Sequence, residues 1–140
     1  MKNGFRGKTR LAAVLFALLL LGSGCVQNGE SEVLWQDFYN DRAEAFITVM
    51  ANGDFDAAED MLDEAMLAAG GATLLQEVWE TVVIAQAGAF VEIYEVTGDV
   101  WQGDDESYFF SWVTSRHEES DFTLRIVLLQ DGRITGLFLD

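Results

Sequence analysis

The sequence predicts an α+β fold, three N-terminal helices packed on a curved four-stranded antiparallel sheet, and three observations predict it. Apolar residues recur at three- and four-residue intervals between about residues 32 and 88. From Ala89 onward the period falls to two, and β-branched and aromatic residues take over. Short polar turns separate the later segments, and no proline interrupts any element in the 140 residues.

The chain opens with four positive charges, Lys2, Arg6, Lys8 and Arg10, followed by the apolar run from Leu11 to Leu21 and the small residues Gly22, Ser23 and Gly24. This is the pattern of a secretion signal over residues 1–24, and the run is too short to span a bilayer. Leu21-Gly22-Ser23-Gly24-Cys25 resembles the lipobox of bacterial and archaeal lipoproteins, with Gly22 where that motif most often carries leucine. The resemblance implies that Cys25 becomes the mature N-terminus and carries a lipid. Two or three acyl chains, palmitate among the expected ones, hold a protein at a membrane far more firmly than one, at about 0.8 kcal/mol per buried CH₂. Residues 25–31 then read as a lipidated tether, and residues 32–140 as one domain.

A first helix is expected from about Glu32 to Ala51, with Trp35, Phe38, Phe46, Val49 and Met50 on its apolar side and Asn52-Gly53 ending it. Asp54 is placed to cap a second helix whose buried side holds Phe55, Ala58, Met61 or Leu62, Ala65 and Met66, up to the stop at Gly70-Gly71. Thr73-Leu74-Leu75-Gln76 has capping-box spacing for a third, with a stripe of Leu75, Val78, Trp79, Val82 and Val83 running to Gly88. Strands are expected at about 89–101, 107–116, 121–130 and 133–139, with Asp131-Gly132 as a two-residue hairpin turn. Strands two and three are apolar on both faces in places. The face away from the helices therefore meets a partner subunit, encloses a cavity, or is a solvent face with some apolar residues.

Charge excludes whole classes of partner. From Cys25 onward, four arginines and no lysine stand against 24 acidic residues, a formal charge of −20. Nucleic-acid binding rests on clustered cations, so no DNA or RNA partner is expected. The acidity fits a basic or cationic partner, or a solvated surface suited to high salt; the scatter of the carboxylates favours the surface. Cys25 is the only cysteine, which excludes an intramolecular disulfide.

Gly53-Asp54-Phe55-Asp56-Ala57-Ala58, the Leu75 to Trp79 segment, the aromatic second strand and the closing Asp131-Gly132-Arg133-Ile134-Thr135-Gly136-Leu137-Phe138 together resemble DUF3887. This small domain family of unknown function occurs alone in secreted or lipoprotein contexts and ahead of α/β-hydrolase domains, and is similar to the cone-shaped NTF2-like, or SnoaL-like, fold. The resemblance spans about residues 40 to 139 and implies a cone and a non-catalytic accessory or binding role. It brings no established catalytic residues.

No catalytic or metal-binding set, and no cofactor, is expected. His117 is the one histidine, placed in an acidic turn and without a Gly-x-Ser-x-Gly elbow elsewhere. One histidine cannot build a tetrahedral zinc site. Asp54, Asp56, Glu59 and Asp60 lack calcium-loop spacing and suit helix N-termini instead, and Asp104, Asp105 and Glu106 form a charged turn. Glu92 and Glu95 with Tyr94 and Tyr108 offer the residue types of a cone-fold isomerase, but strict alternation puts Glu92 and Tyr94 on one face and Glu95 on the other. Trp79, Tyr94, Tyr108, Phe110 and Trp112 are the candidate pocket residues, with core packing as the competing role. The expectation from sequence is a lipid-anchored extracytoplasmic lipoprotein that binds or scaffolds, preferably as a homodimer through the open sheet face. The alternative is a ligand carrier, or an isomerase or hydrolytic-type enzyme, with a carboxylate in an internal cavity.

Overall fold

A computed structural model of the protein describes residues 35–140; the signal, Cys25 and the tether lie outside the described residues. Residues Gln36–Asp140 form one compact unit. Its fold is α+β: helices α1 (35–51), α2 (Phe55–Glu59), α3 (Glu64–Ala69) and α4 (71–87) precede strands β1 (Phe90–Gln102), β2 (Ser107–His117), β3 (Asp121–Leu128) and β4 (Ile134–Leu139). The strands form one antiparallel sheet in the order β1-β2-β3-β4, the meander that short turns dictate.

The buried side of α1 is only partly the expected one: Phe46 and Met50 are buried and Val49 packs against the core, as expected. Tyr39, Ala43, Phe46, Ile47 and Met50 enter the core, while Trp35 and Phe38 are about half exposed. Tyr39 drives the choice: its ring stacks on Phe109 of β2 at 3.7 Å and its hydroxyl donates to the Gln130 carbonyl at 2.6 Å. At Gly98 of β1 a side chain would meet Asn40 Oδ1 at 2.6 Å, so a residue without Cβ lets α1 lie close on the sheet.

The expected second helix is two short ones. Asp54 caps α2 through the Ala57 N–H, as expected, but residues 60–63 leave the helix to meet β4. The Ile134 N–H donates to Met61 O and the Asp63 N–H to Ile134 O, and Leu62 is buried at that bridge. Asp63 then caps α3 through the Met66 N–H. Gly70 both ends α3 and precedes α4, so α4 begins at Gly71 and the expected Thr73 capping box does not form. The acid at this N-terminus is Glu59, whose Oε2 accepts from the Ala72 N–H at 2.6 Å.

In α4, Leu75, Trp79, Val83 and Ala87 are buried at a constant spacing of four. An α-helix drifts about 40° per four residues, enough to carry Ala87 off the sheet. The wider π-helical turn at Trp79–Ile84 counters that drift.

The turn after β3 also differs from expectation. The Leu129 N–H donates to Arg133 O and the Gly132 N–H to Leu129 O, leaving Gln130, Asp131 and Gly132 as a three-residue loop. Only Gly132, at φ 87°, takes the left-handed conformation; a two-residue type I′ turn needs Asp131 there too.

Candidate functional site

The two sides of the sheet diverge in chemistry. The inner side, under the helices, carries Ile93 and Val96 of β1, Val113 of β2, Leu124, Ile126 and Leu128 of β3, and Leu137 of β4. Its polar exceptions are Ser111, Ser115 and His117. Ser111 donates to Asn40 of α1.

His117 is not in the exposed acidic turn expected of it, because β2 runs on to include it with inward parity. Only 4% of it is exposed. Its Nδ1 lies 2.9 Å from the Gly88 carbonyl, which can only accept, so Nδ1 carries a proton. Its Nε2 lies 2.9 Å from Ser115 Oγ, which is also 3.3 Å from Phe122 O. The Ser115 to His117 distance is that of a nucleophile and its base. Access is not, since Trp79, Phe90 and Phe122 stand within 6.3 Å of the imidazole and Ser115 is 3% exposed. The pair ties the end of α4 to β2.

The outer side is open among the described residues. It pairs Glu92 with Arg116 and Asp121, Glu95 with Thr114 and Thr123, and Thr97 with Trp112, Arg125 and Phe138. Asp99, Phe110, Val127 and Gly136 form the next row, and Trp101 with Tyr108 closes the face. Register shifts in β1 fall between Phe90 and Glu92 and between Ile93 and Glu95, and the second places Glu92 and Glu95 on this same side, against the parity that strict alternation gives. Tyr94 joins them through its hydroxyl, which donates to Asp121 Oδ2 at 2.9 Å, and through Arg116 over its ring at 5.3 Å. The bond to Asp121, with lesser desolvation, holds the Tyr94 hydroxyl above the ordinary phenol range.

The candidate pocket residues separate accordingly. Trp79 is in the core between α4 and the sheet, 6.3 Å from Phe90. Tyr94, Tyr108, Phe110 and Trp112 stand on the outer side. Phe110 stacks with Trp112 at 6.1 Å, and Trp101 meets Tyr108 in a tilted contact at 5.8 Å. Trp112 Nε1 donates to Asp140 Oδ2 at 2.8 Å, and the Tyr108 hydroxyl donates to Glu106, a bond that raises its pKa. Sequence reading missed Trp101, Phe138 and Arg125 as members of this band. Alternation alone was the signal that could have found them.

Arg125 is the outlier of the face. Its guanidinium lies over the Phe138 ring at 4.8 Å, and its Nε is buried with no hydrogen-bond partner. The ion pairs among the described residues are Arg116–Glu92 and Arg133–Asp131. Among those residues no group of three or more His, Cys, Asp or Glu converges as a metal site would, and no helix is long and apolar enough to cross a membrane.

These features define an α+β domain with its helices on one face of an antiparallel sheet and an aromatic, uncovered opposite face. An NMR structure of a protein from Ruminococcus gnavus ATCC 29149 shares the fold, with a TM-score of 0.59 at 12% identity over 71% of this chain and 86% of that one. No family model and no curated protein matches the sequence.

Proposed function

We propose that the chain is a lipid-anchored extracytoplasmic lipoprotein whose domain binds or scaffolds, and that the open sheet face is its docking surface with a second copy as the occupant. The observation that carries the docking reading is the aromatic band of Trp101, Tyr108, Phe110, Trp112 and Phe138, which no described element covers. Trp101 and Phe138 are about half exposed and Tyr108, Phe110 and Trp112 partly so; a contiguous aromatic surface of this kind marks an interaction site, and aromatic residues are the ones interfaces enrich. The anchor rests on the signal pattern and the Cys25 motif.

The domain belongs, in this reading, with the NTF2-like cones, and the short DUF3887-like motifs support the same assignment. A carrier or isomerase of that fold needs a carboxylate on the helix side of the sheet. Glu92 and Glu95 point the other way, which favours binding over catalysis.

Two measurements on the full-length chain test the proposal. Cys25→Ser is expected to leave the protein unprocessed or released; a variant still processed and retained in the membrane fraction rejects the anchor. Wild type extracted in mild detergent is expected to show the mass of two chains by light scattering, and a one-chain mass rejects docking by a second copy.

A further inference from the structure

We infer that the second copy docks in one register, with Arg125 of each chain seated between Glu95 and Asp99 of the other. The inference rests on the docking reading above and adds the pairing that selects the partner. It starts from an imbalance on the open face. Among the described residues Arg125 has a buried Nε without a hydrogen-bond partner and no ion pair, in a chain with 24 carboxylic side chains. On the same face, among the described residues, Glu95 takes no ion pair and Asp99 accepts only from the neighbouring Val100 N–H. A cation with a buried, unbonded Nε and two carboxylates outside any ion pair, on one self-complementary patch, satisfy one another across a two-fold axis.

Sheet geometry determines whether they can meet. Arg125 on β3 and Thr97 on β1 occupy the same row, both opposite Trp112 of β2. A two-fold axis between the copies and parallel to β2 lays β2 on β2 and β1 on β3, with rows conserved. Phe110 and Trp112 then meet their own counterparts, the apolar centre that interfaces require. Arg125 lands opposite Thr97, with Glu95 and Asp99 each two residues away along β1, roughly 7 Å at about 3.4 Å per residue. That offset is within reach of an arginine side chain across sheets packed about 10 Å apart. Phe138 lies outside the overlap and holds the guanidinium from the β4 side.

Because each contact occurs twice, charge reversal gives a specific test. Arg125→Glu places three acids together at both contacts, and Glu95→Arg with Asp99→Arg places three cations together. Mixed, the two variants restore opposite charges at both. The expected results, from native mass spectrometry of the full-length chains in mild detergent at moderate salt, are a wild-type dimer, at least tenfold weaker self-association of each variant, and heterodimer alone in the mixture. Recovery in the mixture also shows that both variants fold, and Arg125→Gln, a milder change, is expected to weaken the dimer without creating repulsion. Variants that still dimerise alone, or a mixture that does not recover, reject this register while the docking reading stands. A monomeric wild type rejects both.

Discussion

The inner and outer faces of the sheet carry similar apolar alternation, yet they differ in how polarity is handled. On the inner face Ile126 and Leu128 are fully buried, and Ser115 and His117 are closed into bonds with each other and with Gly88. On the outer face Tyr94, Trp101 and Phe138 are about half exposed and Tyr108, Phe110 and Trp112 partly buried, and the polar atoms of the rings reach to rim carboxylates: Tyr94 to Asp121, Tyr108 to Glu106, Trp112 to Asp140. One face is finished by the chain itself. The other has the composition of an interface centre with a polar rim.

The sharpest way to break this contrast is truncation on each face. Ile126→Ala is expected to cost about 2–5 kcal/mol in denaturant unfolding, the range for emptying a fully buried aliphatic site. Phe138→Ala, 47% exposed, is expected to cost less than about 1 kcal/mol. Equal losses would make the outer face part of the core.

Polar groups give the next contrast. His117→Leu leaves the Gly88 carbonyl and the Ser115 hydroxyl without this partner under Trp79, and is expected to cost about 1–3 kcal/mol. Tyr94→Phe removes one exposed bond on the outer side and is expected to leave the melting temperature unchanged. A His117→Leu domain as stable as wild type would mean that the inner network is dispensable.

Smaller effects follow from titration. Burial, with the Asp131 charge secondary, raises the Tyr39 hydroxyl above its ordinary value. The folded state therefore favours the protonated phenol, so this contribution is full below pH about 10 and is lost as pH rises through the higher folded value. Tyr39→Phe is expected to cost about 0.5–1.5 kcal/mol near neutrality and to flatten part of the alkaline loss in a series of melts. An unchanged alkaline slope would remove Tyr39 as the cause.

The smallest effect is at Asp131, whose carboxyl the Arg133 N–H, then the Arg133 guanidinium, holds below the ordinary carboxylate range. Its contribution is present above pH about 4 and is lost as pH falls through the lower folded value. Both groups are about half exposed. Asp131→Asn is thus expected to leave the melting temperature at neutral pH unchanged and only to flatten the acid slope. A large drop at neutral pH would show a structural role for the turn carboxylate that its exposure does not suggest.

What the sequence by itself determined was local: four strands within a residue or two of their observed limits, the Asp54 cap, the end of α4 at Gly88, and the change from helical to strand period. These are legible because capping, turn conformation and alternation are set by neighbouring residues. Tertiary structure decided the rest. The burial side of α1 followed from the partners of Tyr39, and the break in the second helix from backbone pairing with Ile134, some seventy residues away in sequence. The register shift between Ile93 and Glu95 of β1 brought Glu92 and Glu95 to the same face, because one extra residue in a strand reverses the parity of everything beyond it. For the same reason the candidate site was half legible: alternation groups Tyr108, Phe110 and Trp112, but only the assembled sheet separates Trp79 from them and sets Arg125 beside them with no ion pair among the described residues.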